Sequence, residues 1–276
     1  MMIAPTGIAD NVTNLIGSIF ARYQPTAVMA YLAGIPTGTG HDQVRITQIQ
    51  DETELFVAIS GTDDRQDWFA EHTGNLQLKQ VRITTPAGIS AYVHSGFWTS
   101  AMSIGSAIAP QVADWLSRPG HTVTFVGHSR GGAIAQLMPA AMLLPEHRCK
   151  VVTYGAAMVF AERSQQRPVH EVWNFRHWAD LVPLTPVVPK LIGRYTPIGV
   201  VSELRPNGSV HTVVAALPTP TERILRDIRL YLYHRFCGRK AMLRFLAGQT
   251  TIHEIGGSVL QAHGIETGYS IEAWVK

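Results

Sequence analysis

Cysteine, concentrated charge and long apolar runs are all scarce in this sequence, and each scarcity excludes a class of protein. Cys149 and Cys237 are the only thiols, too few for the disulfide framework of a small secreted scaffold. Charged residues make up 16% of the 276 positions and the net charge is +3, without the basic stripe of a nucleic-acid-binding domain. No apolar run reaches the length that spans a bilayer. We therefore expect neither a nucleic-acid partner nor a membrane-spanning helix.

The amino-terminal residues also lack the features of a secretory leader. No Lys or Arg precedes the first apolar residues, and Asp10, Asn11 and Asn14 interrupt any apolar stretch. The expectation is a cytoplasmic protein, or a mature secreted form whose leader has been removed. Glycine and proline are spread along the chain without a linker or a repeat. Residues 1–276 are therefore expected to form a single domain.

Strands and helices alternate through the central part of the sequence, which is typical of an α/β fold with a mostly parallel central sheet flanked by helices. The first two strands are separated by three residues and are expected to form a hairpin. The predicted strands are Val44–Gln50, Glu54–Ser60, Thr122–Val126, Lys150–Tyr154 and Glu171–Phe175, and the predicted helices are Ile8–Tyr23, Thr26–Leu32, Phe97–Leu116 and Gly131–Leu144.

A helical insertion is expected near residues 217–250, where basic residues gather. Residues 221–250 hold seven basic residues against two acidic ones, among apolar residues at helical spacing. Two interpretations stay open for this segment. It packs on the domain with a solvated basic face, or it lies on an anionic membrane surface.

The strongest local signal is GHSRGG at residues 127–132, which contains the pattern G-x-S-x-G between a strand and a helix. A serine in this context stands on a sharp strand-to-helix turn, and Gly127 and Gly131 remove Cβ atoms that would collide with the neighbouring backbone. His128 completes the turn. The alternative is a chance match in a glycine-rich loop. Ser129 is therefore the predicted nucleophile.

Backbone amides near this serine are the predicted oxyanion donors. The amide of Arg130 lies at the positive end of the helix that follows the serine, where negative charge is stabilised. The second donor should come from the loop Gly61-Thr62-Asp63, which directly follows the strand ELFVAIS. Thr62 is the residue of that loop with both an amide and a hydroxyl to offer.

Four blocks of the sequence together resemble the class 3 lipases. They are VAISGTDDRQDW at 57–68, VHSGFWTSA at 93–101, GHSRGGAIA at 127–135 and FRHWADLVPLTP at 175–186. The resemblance implies an α/β-hydrolase fold and cleavage of carboxylic esters by a Ser-His-Asp triad through an acyl-serine intermediate. It assigns the triad acid to Asp180 and an oxyanion donor to Thr62. The chain order of serine, then aspartate, then histidine also suits a hydrolase of this fold.

Two positions depart from that family's pattern. Ser60 stands where the family often has Arg, and Arg130 stands where it commonly has Leu. A cation at residue 130 needs solvent or a carboxylate such as Asp63, Asp64 or Glu71. This requirement speaks against a wholly apolar acyl site and against a preference for long-chain fats.

Four histidines follow Asp180 and are candidates for the triad base: His211, His234, His253 and His263. His263 begins HGIETGYSIEAW, which resembles the final block of the family, and it is the predicted base. His253 is second, because it precedes an expected loop. His234 lies in an apolar helical segment and is more typical of a core or interface residue.

Two further histidines lie beside the family-like blocks but precede Asp180, so the chain order argues against a role as base. They are His94 and His128. We expect His94 to be structural and to lie near the oxyanion loop.

Residues 63–74, DDRQDWFAEHTG, are expected to form a short amphipathic lid over the substrate. The segment starts with Asp63 and places Trp68 and Phe69 among charged side chains that include Asp67. An ordinary surface helix, with Asp67 and Trp68 packed against the domain, is an equal alternative.

The sequence therefore predicts a lipase or esterase that acts on a small-molecule ester or a lipid, with contact to a lipid interface. A phospholipase or an aromatic-ester esterase of the feruloyl type could use the same triad, and a non-catalytic binding protein could share the fold. No H-E-x-x-H or C-x-x-C spacing is present, so we expect neither a metal nor a cofactor. The oligomeric state stays open.

Overall fold

The computed structural model describes residues 15, 18–27, 35–36, 43–48, 53–61, 79–85, 87–164, 171–177, 180, 182–184, 195–204 and 209–214. The strands are β1 Ile35–Pro36, β2 Gln43–Gln48, β3 Glu54–Ile59, β4 Gln80–Thr84, β5 Ser90–His94, β6 Thr122–His128, β7 Cys149–Tyr154, β8 Phe160–Ala161, β9 Glu171–His177, β10 Tyr195–Thr196, β11 Val200–Leu204 and β12 Val210–Val214. The helices are α1 at 18–27, α2 Ser95–Leu116, α3 Ser129–Ala135 and α4 Met138–Ala141, with 3₁₀ turns at Glu146–Arg148 and Val182–Leu184.

Eight strands form the main sheet in the order β1-β2-β3-β6-β7-β9-β11-β12. The five strands from β3 to β11 are parallel, while β1 and β2 at one edge and β12 at the other are antiparallel to their neighbours. The predicted α/β class with a mostly parallel sheet is thus confirmed. Because parallel strands end at the same edge of a sheet, the loops after β3, β6 and β9 share one end of the molecule.

Apolar side chains cover both faces of this sheet. Along β3, Leu55 and Val57 belong to one hydrophobic cluster with α2 and α3, whereas Phe56 belongs to a second cluster with α1. This alternation follows from the two-residue period of a strand. In the second cluster the ring of Phe20 lies edge-on to those of Tyr154 and Phe175, at centroid distances of 5.1 and 5.0 Å. A sheet buried on both faces explains why its central strands read as continuous apolar runs.

The predicted hairpin is confirmed, since β2 and β3 pair antiparallel with Val44 opposite Ile59. The predicted strands at 122–126, 150–154 and 171–175 and the helix at 97–116 are also confirmed, each within about two residues of the observed bounds. A second sheet of four strands, in the order β10-β8-β5-β4, was not predicted. Two of its strands have only two residues each, which is too short for an alternating pattern to be recognised.

Two helix predictions were wrong in their limits. The helix expected at 131–144 begins at Ser129 and breaks after Ala135, and α4 then starts at Met138. Pro139 explains the break, because a proline has no amide hydrogen to donate and is tolerated in the first turn of a helix. At the amino terminus, α1 continues through Pro25 instead of ending before it. Tyr23 and Ala27 are buried on either side of that proline, and their packing on the sheet outweighs its cost.

Arg148 fastens the carboxyl-terminal end of α2. Its guanidinium donates to the carbonyl of Leu116 at 2.7 Å, to that of Arg118 at 2.8 Å and, through Nε, to that of His121 at 2.7 Å. A cation suits this position because the last carbonyls of a helix carry partial negative charge. The end of α2 that is remote from β5 is thus fixed by one side chain.

The backbone conformation just after α4 leads us to expect that glycine at residue 143 stabilises the protein. Leu143 has φ 53° and is 69% exposed, while its N–H and that of Leu144 bond to the carbonyls of Ala140 and Pro139. Glycine is preferred at this left-handed position of a helix C-cap. Leu143→Gly should therefore raise the free energy of unfolding by about 1 kcal/mol, measured by urea denaturation. An unchanged or lower stability would contradict the assigned backbone strain.

The insertion expected near 217–250 lies outside the described residues. Within the part of the chain that the structure describes, no helix combines the length and apolar character needed to cross a membrane.

Candidate active site

The predicted nucleophile and the predicted acid both lie at the carboxyl end of the main sheet. Ser129 directly follows β6, Asp180 lies three residues beyond β9, and Gly61 lies two residues beyond β3. Strands β3 and β6 are neighbours, with Ile59 opposite Gly127, and only β7 separates β6 from β9. Two strand spacings amount to about 10 Å. The sheet thus brings the ends that carry the predicted nucleophile and the predicted acid within reach of one intervening imidazole.

Ser129 has φ 55°, in the left-handed region that residues with a Cβ rarely adopt. It follows His128, the last residue of β6, and is the first residue of α3, and it is half-buried. A non-glycine residue in this conformation costs roughly 1 to 3 kcal/mol and persists only where its surroundings hold it. Such strain is common at catalytic sites, and here it turns the chain sharply from strand to helix.

Three glycines make this turn sterically feasible. A Cβ atom on Gly127 would lie 2.4 Å from the carbonyl carbon and oxygen of Gly131, and one on Gly132 would lie 2.7 Å from the Cβ of Ala156. A Cβ atom on Gly131 would lie 2.2 Å from the carbonyl oxygen of Ile59. The first turn of α3 is therefore in backbone contact with the end of β3. That contact places the stem of the predicted oxyanion loop beside the serine.

The side chain of Arg130 does not extend into solvent. It is 8% exposed, and its Nη2 donates to the Oγ of Ser100 on α2 at 2.8 Å. Burial lowers the pKa of Arg130 to about 10, so the guanidinium is still charged at neutral pH. The sequence predicted solvent or a carboxylate as partner, and Ser100 is a partner that sequence reasoning missed.

Asp180 is 3% exposed, and its position is fixed by two backbone hydrogen bonds. Its Oδ1 accepts from the N–H of Val182 at 2.9 Å, and its own N–H donates to the carbonyl of His177 at 2.9 Å. The first bond belongs to the 3₁₀ turn at 182–184. The D-x-V-P block thus folds back on its own carboxylate and orients it.

His177 is a titratable group near this carboxylate that sequence reasoning missed. Burial lowers its pKa below the usual value, against smaller opposing effects of Asp180 and Glu203. The ring is therefore neutral at neutral pH. Its position inside FRHWADLVP, three residues before the aspartate, was the available signal.

His94 and His128 occupy structural positions. His94 is fully buried and caps α2, with its Nδ1 accepting from the N–H of Phe97 at 3.4 Å. Its ring lies 5.7 Å from that of Tyr195. His128 is buried at the end of β6 and forms no side-chain cap to α3.

His211 is poorly placed to act as the base. It lies on β12, the edge strand, opposite Glu203 of β11. Four strand spacings separate β12 from β6, which amounts to about 19 Å. This leaves the three later histidines as candidates.

Several predicted residues lie outside the described part of the chain, and their placement stays a prediction. They are Thr62, Asp63, Asp64, Asp67, Trp68, Phe69, Glu71, His234, His253 and His263.

A cavity of about 20 Å³ lies beside β9. Its lining includes Gln136, Ala156, Asn174 and Pro183. A volume of this size holds about one water molecule. As bounded by the described residues, the cavity is smaller than an acyl chain.

A comparison with known protein families finds a match for this chain. The family model described as lipase (class 3) matches residues 56–190, which include the strand-to-helix turn and Asp180. Over these residues, just under half of the chain, the protein matches the class 3 lipase family. The match supports a serine carboxylic-ester hydrolase of the α/β-hydrolase fold with a serine triad. A non-catalytic binding protein with the same fold is not needed to explain these findings.

Solved lipases share the fold of this chain. The triacylglyceride lipase of Rhizomucor miehei is 18% identical, with a TM-score of 0.57 over 81% of this chain and 91% of that one. Lipase II of Rhizopus niveus is 18% identical, with a TM-score of 0.58 over 77% and 93%. A triacylglycerol lipase described as having a serine-protease triad is 17% identical, with a TM-score of 0.59 over 75% and 88%.

Proposed function

We propose that Ser129, Asp180 and His263 form the catalytic triad of this enzyme, and that the amides of Thr62 and Arg130 form its oxyanion hole. The observation that carries the proposal is the strained φ of 55° at Ser129, at the carboxyl end of the fourth of eight strands. The buried and oriented carboxylate of Asp180, one strand beyond β7, supports it. His263 is assigned on its order in the chain and its resemblance to the family's final block.

In the first half of the reaction, His263 takes the proton of Ser129 while Oγ attacks the ester carbonyl carbon. The amides of Arg130 and Thr62 hold the resulting oxyanion, each contributing roughly 3 kcal/mol at the transition state. Asp180 holds the imidazole in the correct tautomer and stabilises the imidazolium. His263 then gives its proton to the departing alcohol oxygen as the carbon–oxygen bond breaks.

In the second half, water replaces the alcohol. His263 removes a proton from that water, whose oxygen attacks the acyl carbon and forms a second oxyanion in the same hole. Collapse of this intermediate breaks the bond to Oγ, and the imidazolium returns its proton to Ser129. The products are a carboxylic acid and the free enzyme.

We propose a lipid ester as the substrate. The similar solved structures are described as triacylglycerol and triacylglyceride lipases, which supports a lipid ester. The placement of Arg130 also supports it, because a guanidinium bonded to α2 and 8% exposed does not require a polar acyl site. The cation at residue 130 is therefore a weaker argument against a fat as substrate than the sequence alone indicated.

The choice of base predicts the outcome of three substitutions. His263→Ala should lower kcat by about 10⁴-fold or more, since the nucleophile loses its general base. His253→Ala and His234→Ala serve as matched controls and should stay within about threefold of the wild type. The measurement is hydrolysis of p-nitrophenyl esters from acetate to palmitate, with circular dichroism to verify folding. A large loss in His253→Ala or His234→Ala, with His263→Ala active, would reassign the base.

Residues 63–74 are proposed as a lid that responds to a lipid interface. The support is their place directly after the β3 loop and the apolar pair Trp68 and Phe69 among charges, together with a similar fungal lipase described in terms of interfacial activation. Activity on tributyrin should rise several-fold as the ester passes its solubility limit and emulsion forms. Trp68→Ser and Phe69→Ser together should remove the rise but keep activity on dissolved ester. A smooth saturation curve in the wild type would contradict the proposal.

A further inference from the structure

The side chain of Arg130 joins α3 to α2 beside the proposed nucleophile. Its Nη2 donates to Ser100 Oγ at 2.8 Å, and both residues are buried, with exposed fractions of 8% and 6%. Ser100 is a firm attachment point. It lies in the second turn of the 22-residue helix α2, whose start is capped by the fully buried His94.

The start of helix α3 lacks the usual helix-capping features. It contains seven residues, its N-cap His128 makes no side-chain cap hydrogen bond, and no acidic residue lies in its first turn. A helix this short has no stability of its own and depends on tertiary contacts. Its glycines fit closely against β3 and the loop after β7, and the Arg130 guanidinium adds a directional contact to α2.

The cation is costly where it lies. Burying a charged group carries a desolvation penalty, and the start of a helix already carries partial positive charge. An apolar side chain of similar length would fill the same space without that penalty. The cation lies one residue from the proposed nucleophile, which favours a contribution to function.

We propose that Arg130 is a positioning residue, whose side chain, held by Ser100, fixes the backbone amide of residue 130 toward the oxyanion of the transition state. The inference rests on the function proposed above. The amide and the side chain share one Cα, so anchoring the far end of the side chain restricts rotation of the peptide group. An oxyanion donor must lie within 2.7 to about 3.1 Å of the developing charge to be effective.

The kinetics of four variants test this inference. Arg130→Met should lower kcat about 30-fold, with KM within about twofold, because the amide loses alignment only with the transition state. Ser100→Ala should lower kcat about fivefold, and the double variant should be no slower than Arg130→Met alone. Arg130→Lys keeps the charge but not the planar donor group and should be intermediate.

A binding measurement separates positioning from a structural role. A boronic acid that adds to Ser129 mimics the oxyanion, so its inhibition constant should rise in each variant by the factor by which kcat falls. Arg148→Met is the matched control, because Arg148 also bonds α2 but at its other end. This control should lower the melting temperature while leaving kcat and boronate binding within about twofold of the wild type.

Two results would overturn the inference. One is an Arg130→Met variant that folds and keeps the wild-type kcat. If Arg130→Met does not fold, the equivalent result is a wild-type kcat in both Ser100→Ala and Arg130→Lys. The other is losses that multiply in the double variant. In either case, labelling of Ser129 by a phosphonate leaves the proposed function standing. A wild-type chain whose Ser129 is not labelled overturns the proposed function and the inference with it.

Discussion

Replacing Ser129 by Ala is expected to lower kcat by about 10⁵- to 10⁶-fold, because the acyl-serine intermediate can no longer form. The loss should be accompanied by complete loss of phosphonate labelling. Hydrolysis of a soluble ester, followed with enough enzyme to detect the residual rate, measures the effect. A variant that keeps more than about a hundredth of the wild-type kcat would show that another group is the nucleophile.

The same position separates catalysis from stability. At φ 55° the Cβ atom of alanine is strained and glycine has none, so Ser129→Gly should be more stable than Ser129→Ala by about 1 kcal/mol. Both variants should be inactive. The comparison isolates the Cβ atom, because neither variant carries the hydroxyl.

Ser106 provides a control for this comparison, because the stability difference between its glycine and alanine variants should have the opposite sign. It is exposed in the middle of α2, and its Oγ donates to the carbonyl of Met102 at 2.9 Å. In a helix interior glycine is less favourable than alanine by about 1 kcal/mol. Ser106→Gly should therefore be less stable than Ser106→Ala, measured by the same urea denaturation. If the glycine variant is less stable than the alanine variant at both positions, the backbone at Ser129 is not strained.

The parts of the site that could be predicted from the sequence are those with a local signal. GHSRGG between an apolar strand and an apolar helix indicates a strand-to-helix turn, because only closely packed backbone needs glycines at these spacings. Asp180 was predicted to be the triad acid because its D-x-V-P block resembles that of the class 3 lipases. The geometry adds the reason for that block, since the N–H of Val182 binds the carboxylate.

The parts that could not be predicted depend on contacts distant in sequence or on elements too short to show a pattern. Ser100 lies 30 residues before Arg130, in a helix whose sequence gives no sign of a polar partner. Strands β8 and β10 have two residues each. The continuation of α1 through Pro25 depends on burial against the second cluster of the core, which a proline rule based on the local chain does not include.

Gly131→Ala is expected to be the most damaging small substitution in the described part of the site. Its Cβ atom would lie 2.2 Å from the carbonyl oxygen of Ile59 and 2.4 Å from that of Ser60. These are backbone atoms of β3 and of the loop stem that follows it, so no side-chain rotation can relieve the contact. We expect a loss of more than about 4 kcal/mol in the free energy of unfolding, or failure to fold.

Gly88→Ala is the control that separates crowding from backbone strain. Gly88 has φ 77°, and a Cβ atom at this position would have no neighbour within 4 Å, so alanine there should cost only about 1 kcal/mol. If Gly131→Ala folds, the shift of α3 away from β3 should also reduce kcat by about 100-fold or more. Arg130, one proposed oxyanion donor, directly precedes Gly131, and the loop predicted to carry the other donor directly follows Ser60 in the chain. Gly131→Ala with the stability and kcat of Gly88→Ala would mean that α3 and β3 are not packed as described. The proposed oxyanion hole would then lose its structural support.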